Sequence, residues 1–390
     1  MKKTLYATTA LAAAGLLTLG ASDAFAQAAA PAKPEKLKMA IGGFFHAFAG
    51  YADQSGSFED ATGNHYGGFD IKNDSEIKFS GSVPLDNGMK VSLQVEFETD
   101  TANAGGGSSS DSLFGLDESW LGLDTGSFGQ VRIGTQKQVN LTLHTGAPNS
   151  GGMNPANGDT TEWIVKPAGI VGNGQPQGGN PSGADQMRIT YISPVLAGFR
   201  FGAGYQPSTV DQDDQPLVGG DNGNTEAQTA EAAIQYATTL GPVGLRASVG
   251  YLSQEGTIAQ ASNTINPGLE LRFGDVTVGA GYRHVWGSVA DRSFNPGTNS
   301  ANADGVSAGI AYAPGPWKIG FRTSHTWLEG ARADSDDDKV TLYKLGANYT
   351  LGPGVELTGD LFHLEYEDEG DNPANSNKGW ALVGGIAVAF

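Results

Sequence analysis

The chain has 390 residues, with 42 acidic and 23 basic side chains, a formal net charge of −19 and no cysteine. That acid excess excludes a general nucleic-acid binder, because phosphate contacts need a basic patch. The absence of thiols excludes disulfide staples, thiolate metal sites and cysteine nucleophiles.

The first element is MKKTLYATTALAAAGLLTLGASDAFAQ. Lys2 and Lys3, an apolar stretch from Ala10 to Leu19, and Ala24-Phe25-Ala26 predict a secretory signal peptide over residues 1–26. Cutting after Ala26 removes Lys2, Lys3 and Asp23, so 23 basic and 42 acidic residues become 21 and 41. No later window offers ~18 consecutive apolar residues, so no transmembrane helix is expected. The mean hydropathy of −0.26 is compatible with a membrane β-barrel, whose strands alternate lipid-facing and lumen-facing residues.

Period-2 segments follow one another to the end. In FDIKNDSEIKFSGSV, Ile71, Ile77, Phe79 and Val83 alternate with Lys72, Asp74, Glu76 and Lys78. In MKVSLQVEFET, Met89, Val91, Leu93, Val95 and Phe97 alternate with Lys90, Ser92, Gln94, Glu96 and Glu98. The same reading gives strands at about 38–52, 68–83, 88–100, 112–124, 127–138, 185–193, 197–206, 225–240, 242–254, 264–273, 275–287, 303–313, 315–329, 338–350, 354–367 and 378–390. Seven short connections rich in Gly, Pro, Asn and Asp (84–88, 124–127, 193–198, 239–242, 273–275, 313–316, 351–354) interleave with eight long ones. Tight turns at one end and long loops at the other predict an all-β, transmembrane antiparallel β-barrel of 16 strands. The last strand, KGWALVGGIAVAF, puts Trp380, Leu382, Ile386 and Val388 on one face and small Ala and Gly mostly on the other. It is expected to pair with 38–52, because an unpaired edge cannot stand in lipid.

DESWLGLDTGSFGQVRIGTQ (Asp117–Gln136) resembles a hairpin of the Gram-negative general porins, of the alphaproteobacterial type. It carries Phe128, Gly129, Val131, Arg132 and Gly134; the family's Gly-Arg pair is Gly134-Thr135 here. The start KLKMAIGGFFHAFAGY, the strand layout and the terminal Phe390 extend the resemblance over residues 27–390. It implies a homotrimer of water-filled channels in the outer membrane for small hydrophilic solutes and ions. It also implies that the third long loop folds into the lumen, which here is about 139–184. Phe390 is implied to be read by the barrel-assembly machinery; outer-membrane lipid and lipopolysaccharide are the surroundings implied.

A pore of this kind discriminates by diameter and by lining charge. Parity turns Lys78, Lys90, Arg132, Arg188 and Arg322 to the lumen, and the loop carries Asp159 and Glu162. Lys78, Lys90 and Arg132 are expected to oppose Asp159 and Glu162 and set a transverse field. Acidic runs in the long loops, including Asp336, Asp337 and Asp338, offer oxygens to a loop-bound Ca²⁺, although none has the spacing of a twelve-residue calcium loop. Otherwise no cofactor is expected. No G-x-S-x-G, H-E-x-x-H, Walker A or G-x-G-x-x-G occurs, so no catalytic residues are assigned and no enzyme is expected. A substrate-specific porin, for a sugar or an anion, is the nearest alternative, and an aromatic slide along the lumen would favour it. Among aromatics, Trp120, Phe362 and Tyr366 stand apart from the apolar parity. An outer-membrane barrel enzyme is the alternative of another class.

Overall fold

The computed structural model describes residues 36–98, 115–170, 174–181, 185–207, 227–256, 261–288, 302–329 and 337–390. The expected signal peptide over residues 1–26 and Asp336 lie outside the described residues. Sixteen strands follow one another: β1 (Lys38–Gln54), β2 (Phe69–Pro84), β3 (Lys90–Glu98), β4 (Gly115–Asp124), β5 (Gln130–Gln136), β6 (Gln186–Ile192), β7 (Phe199–Gln206), β8 (Ala227–Leu240), β9 (Val243–Gly256), β10 (Ala261–Phe273), β11 (Val276–Ser288), β12 (Ala303–Tyr312), β13 (Trp317–Glu329), β14 (Asp337–Gly352), β15 (Val355–Glu367) and β16 (Asn377–Ala389). Each lies antiparallel to its sequence neighbours, and β16 returns to β1 to close the barrel. The closing register runs from Phe44 opposite Ala389 to Gln54 opposite Gly379. Beyond it, Phe390 and Gly43 exchange backbone hydrogen bonds of 3.0 and 3.1 Å, so the last residue is still in the ladder.

All seven tight turns contain a glycine at positive φ: Gly88, Gly126, Gly198, Gly241, Gly274, Gly315 and Gly354. A Cβ would resist that backbone, which is why these hairpins punctuate the sequence so legibly. Alternation then sets the two faces. Trp380, Leu382 and Ile386 project outward, while Ala381 and Val383 are buried inside. On β13, outward residues run from Trp317 near one end to Trp327 near the other. Ten residues at ~3.3 Å and a tilt of ~40° span about 25 Å, the height of a lipid-facing band.

Two features of the long connections escape the alternation. A helix α1 (Gly56–Thr62) sits in the first, ends at Gly63 in the left-handed conformation, and packs against a 3-10 turn at Pro373–Asn375 in the last. The third connection carries a short helix α2 (Val139–Thr142) and a 3-10 turn at Asp159–Glu162. It supplies the barrel with an internal core. Met153, Trp163, Ile164 and Ile170 from this loop pack on Phe48, Leu342, Phe362, Leu364, Tyr366 and Val383 from the wall. Burying each large apolar side chain stabilises the docked loop by roughly 1.5–3 kcal/mol.

Candidate functional site: an inner loop pinned across the lumen

The loop leaves β5 and follows the inner wall strand by strand. Val139 and Leu143 pack on Ile192 of β6 and Ala233 of β8. The Asn140 amide donates to Glu231 of β8 at 3.4 Å, and the Glu231 carboxylate is held by Arg188 of β6 at 3.1 Å. Gln235 donates to the Leu143 carbonyl at 3.0 Å, the Thr145 amide donates to Ser248 at 2.9 Å, and Arg322 donates to the Ala147 carbonyl at 3.3 Å.

The tightest clasp lies against β14 and β15. Asp360 accepts from the Gly152 and Met153 amides at 2.8 and 3.2 Å and pairs with Lys344 at 2.6 Å. Lys344 in turn donates to Asn149 Oδ1 at 3.1 Å and to the Ser150 carbonyl. Asn348 accepts from the Gly151 amide at 2.7 Å. Farther on, Gln54 and Asn377 hold the two backbone groups of Val165 at 2.9 and 2.8 Å. On the return limb the Gly178 amide donates to Thr326 at 3.2 Å, and Arg283 donates to Gln177 Oε1 at 2.5 Å. His144, buried so that its pKa falls to about 4, joins Asn180 at 3.3 Å and so ties the two limbs together.

The wall is thinned where the loop backbone comes closest. A Cβ on Gly268 would overlap the Thr145 carbonyl oxygen, and one on Gly346 would overlap that of Ser150. Such approaches admit only glycine.

The inner faces of β2 to β5 carry a second network, of side chains with one another. Lys78 pairs with Glu96 at 2.8 Å and Glu76 at 3.0 Å. Gln94 bridges Glu96 and Glu118, and Glu118 also holds Trp120 at 2.8 Å and Lys137 at 3.2 Å. The Arg132 guanidinium lies 4.2 Å over the Trp120 ring and donates to Gln130 at 2.8 Å. This wall, ionic and partly exposed, faces a lumen that the loop narrows from the other side.

A family profile described as Gram-negative porin matches residues 7–369. The chain belongs to the Gram-negative porin family. Major outer membrane protein P.IB of Neisseria sicca is 28% identical to this porin over 210 residues, 53% of this chain and 49% of that protein, so the match spans about half the length of the curated relative. Two solved structures share the fold. An anion-selective porin from Comamonas acidovorans has a TM-score of 0.57 at 19% identity, covering 91% of this chain and 100% of that one. OmpT of Vibrio cholerae, in a trimer form, has a TM-score of 0.57 at 14% identity, again over 91% and 100%.

In this porin the charges singled out from sequence part company. Lys78 and Arg132 lie on the open wall, and Lys90 is exposed beside the turn at 85–89, below them. Arg188 and Arg322, expected to line the passage, are instead 2% and 4% exposed beneath the loop. Both side chains turn toward the loop, whose backbone holds Arg322, while Glu231 holds Arg188. Asp159 opens the 3-10 turn and accepts from the Asn154 amide at 2.6 Å; burial, then the charges of Asp74 and Glu162, push its pKa up to about 7. Glu162 closes the same turn, and the next residue, Trp163, lies 5.2 Å under the Lys72 ammonium.

Of the two residues singled out on the closing strand, Trp380 lies outward against His363 and Phe390 is exposed at the barrel rim. Asp337 is exposed at the start of β14, and Asp338 is buried with its carboxylate near those of Asp368 and Glu369. The sequence reading missed Asp360, Asn348, Glu231 and Gln54 as loop anchors. Their only signal was a polar residue on the inward parity, the same signal that a solute-facing residue gives.

Proposed function

We propose that this porin is an outer-membrane channel for passive diffusion of small hydrophilic solutes and ions. The observation that carries it is the partition of the interior. The loop is clasped to β1, β6, β8, β9, β11 and β13 to β16, while the ionic wall of β2 to β5 stays open. Water and solute pass between the two, and the charges there discriminate by sign. Lys78 and Arg132 on the wall, with Asp159 and Glu162 on the loop, are the groups assigned to the constriction. No bond-making step and no cofactor enter this mechanism.

The general pore is favoured over a substrate-specific one by where the aromatics lie. Phe362 and Tyr366 are 0% and 1% exposed under the loop, so neither joins Trp120 in a slide along the passage. A homotrimer accords with the trimer form of the Vibrio cholerae structure, and with the exposed apolar side chains Met39, Ile41, Phe69 and Ile71 on adjacent β1 and β2. The remaining outward band meets lipid and lipopolysaccharide, and the paired terminus of β16 is the segment offered to the barrel-assembly machinery.

Planar-bilayer recording of the purified protein tests the reading. Conductance in groups of three steps, with a reversal potential in a salt gradient that moves when Asp159→Asn and Glu162→Gln are combined, is the expected result. No conductance would refute the channel, and an unmoved reversal potential would remove those two residues from the selectivity mechanism.

A further inference from the structure

The accessible inward charges are sorted along the barrel axis. Each tight turn marks the periplasmic end of two strands, so distance from the turn gives height. Lys90 opens β3, Arg200 and Lys318 are the second residues of β7 and β13, and Arg132 is the third of β5. Arg246 is the fourth residue of β9, and Arg272 is the last but one of β10. At ~3.3 Å per residue all six lie within about 13 Å of the turn end. Their strand neighbours Ile133, Phe199, Phe273 and Ile319 are exposed on the opposite face, which turns the basic groups inward. At inward strand positions the acids in the same zone are Asp124, Glu270 and Glu356, while Asp86 and Asp275 lie in the turns at the rim; Glu270 faces Arg246 at 3.8 Å.

The other half of the same lumen has the opposite sign. Carboxylate oxygens of Glu76, Glu98 and Asp117 lie within 4.8 Å of one another, and so do those of Asp117, Glu118 and Asp185. Glu96 and Glu118 are buried in this group with Lys78 and Lys137 paired to them, and Glu76, Glu98, Asp117 and Asp185 are its partly exposed carboxylates. The −19 of the whole chain therefore does not describe the path of an ion: among the described inward charges the acid excess sits above, and the periplasmic vestibule is basic.

We infer that the lumen is a bipolar conduit, with a vestibule that concentrates small anions, such as chloride, carboxylates and inorganic phosphate, beneath a cation-attracting outer half. This rests on the channel reading and adds a direction to it. With the extracellular side positive, cations enter through the acidic half and anions through the basic half, and both accumulate where the halves meet. With the sign reversed, both are drawn away and the junction is depleted. The field reaches across the passage only when the Debye length matches it, from ~10 Å at 0.1 M to ~30 Å at 0.01 M.

Oriented channels recorded in potassium chloride at about pH 8 test this. A single Asp371→Cys, biotinylated and blocked by streptavidin from one chamber, fixes orientation because the chain has no other cysteine. At about 20 mM salt the current with the extracellular side positive should exceed the reverse current by about two-fold or more, and at about 1 M the ratio should fall to one. Lys90→Gln with Arg200→Gln and Lys318→Gln should bring the ratio at low salt toward one and shift the reversal potential toward potassium, with conductance at high salt kept as the folding control. Symmetric low-salt currents in the unaltered protein would overturn the inference while leaving the channel intact, and so would a ratio unchanged in the triple variant. Absence of any conductance would overturn the channel reading itself.

Discussion

Replacing Asp360 by Ala should release the inner loop without unfolding the barrel. The carboxylate is the meeting point of one buried ammonium and two loop amides: Lys344 at 2.6 Å, Gly152 at 2.8 Å and Met153 at 3.2 Å. Both members of the ion pair are 1% exposed. Removing one partner of a buried pair leaves the other uncompensated, which costs about 3–5 kcal/mol. The barrel ladder does not depend on this side chain, so the loss falls on loop docking, and an opening about 100-fold more frequent is the least expected. Hydrogen exchange read by mass spectrometry over residues 149–154 measures that opening directly. The double variant Lys344→Met with Asp360→Ala removes the stranded charge and should recover a large part of the protection. Unchanged exchange in Asp360→Ala would refute the clasp, and equal losses in the single and double variants would refute the role given to the stranded ammonium.

Two further outcomes follow from the same geometry. Gly268→Val should displace the loop near Thr145, since even a Cβ there would overlap its carbonyl oxygen; a changed conductance with normal barrel assembly is the expected reading, whereas Gly359→Ala, where nothing lies within 4 Å, should leave conductance alone. Asp159 has its pKa raised from 3.8 to about 7 by burial first and acidic neighbours second. A raised carboxylate favours the protonated fold, so docking of the 3-10 turn is strongest below about pH 4, weakens as pH rises toward 7 and is flat above, a span on the order of 4 kcal/mol. Exchange at residues 154–163 should therefore rise between about pH 4 and 7 and level off above, after correction for intrinsic rate, and Asp159→Asn should abolish that dependence.

The barrel was legible because its signals are local and repeated. Glycine-bearing turns and two-residue alternation recur along the whole chain, and each strand found in the structure lies within a few residues of its place in the sequence reading, as β13 at Trp317–Glu329 against 315–329 shows. Helix α1 was not legible: its seven residues, GSFEDAT, hold one buried apolar side chain, Phe58, too few for a helical period. The site was half legible. Parity says that Arg188, Arg322 and Lys78 all point inward, but it cannot say which of them will meet another segment of the chain there. That depends on the path of a Gly-, Asn- and Pro-rich loop with few side-chain constraints of its own.

That path has a physical rule. A loop buried inside a barrel brings dozens of backbone donors and acceptors away from bulk water, and each must find a partner. Helix or sheet would supply them internally; among the described residues between Val139 and Pro181, this loop has only the four residues of helix α2 and one 3-10 turn. The wall supplies them instead, through Glu231, Gln235, Ser248, Arg322, Thr326, Asn348, Asp360, Asn377 and Gln54, each joined to a loop backbone group. An inward polar residue in this fold thus has two possible employers, solute or loop, and the wall glycines distinguish them. Where the inward parity alternates polar residues with glycines, as at Gly279, Gly281 and Arg283 or at Arg322, Gly320 and Ser324, the loop lies close and the polar groups are its anchors. Where bulky polar residues follow one another, as at Glu76 and Lys78 or Gln94 and Glu96, the wall stands open and the residues belong to the passage.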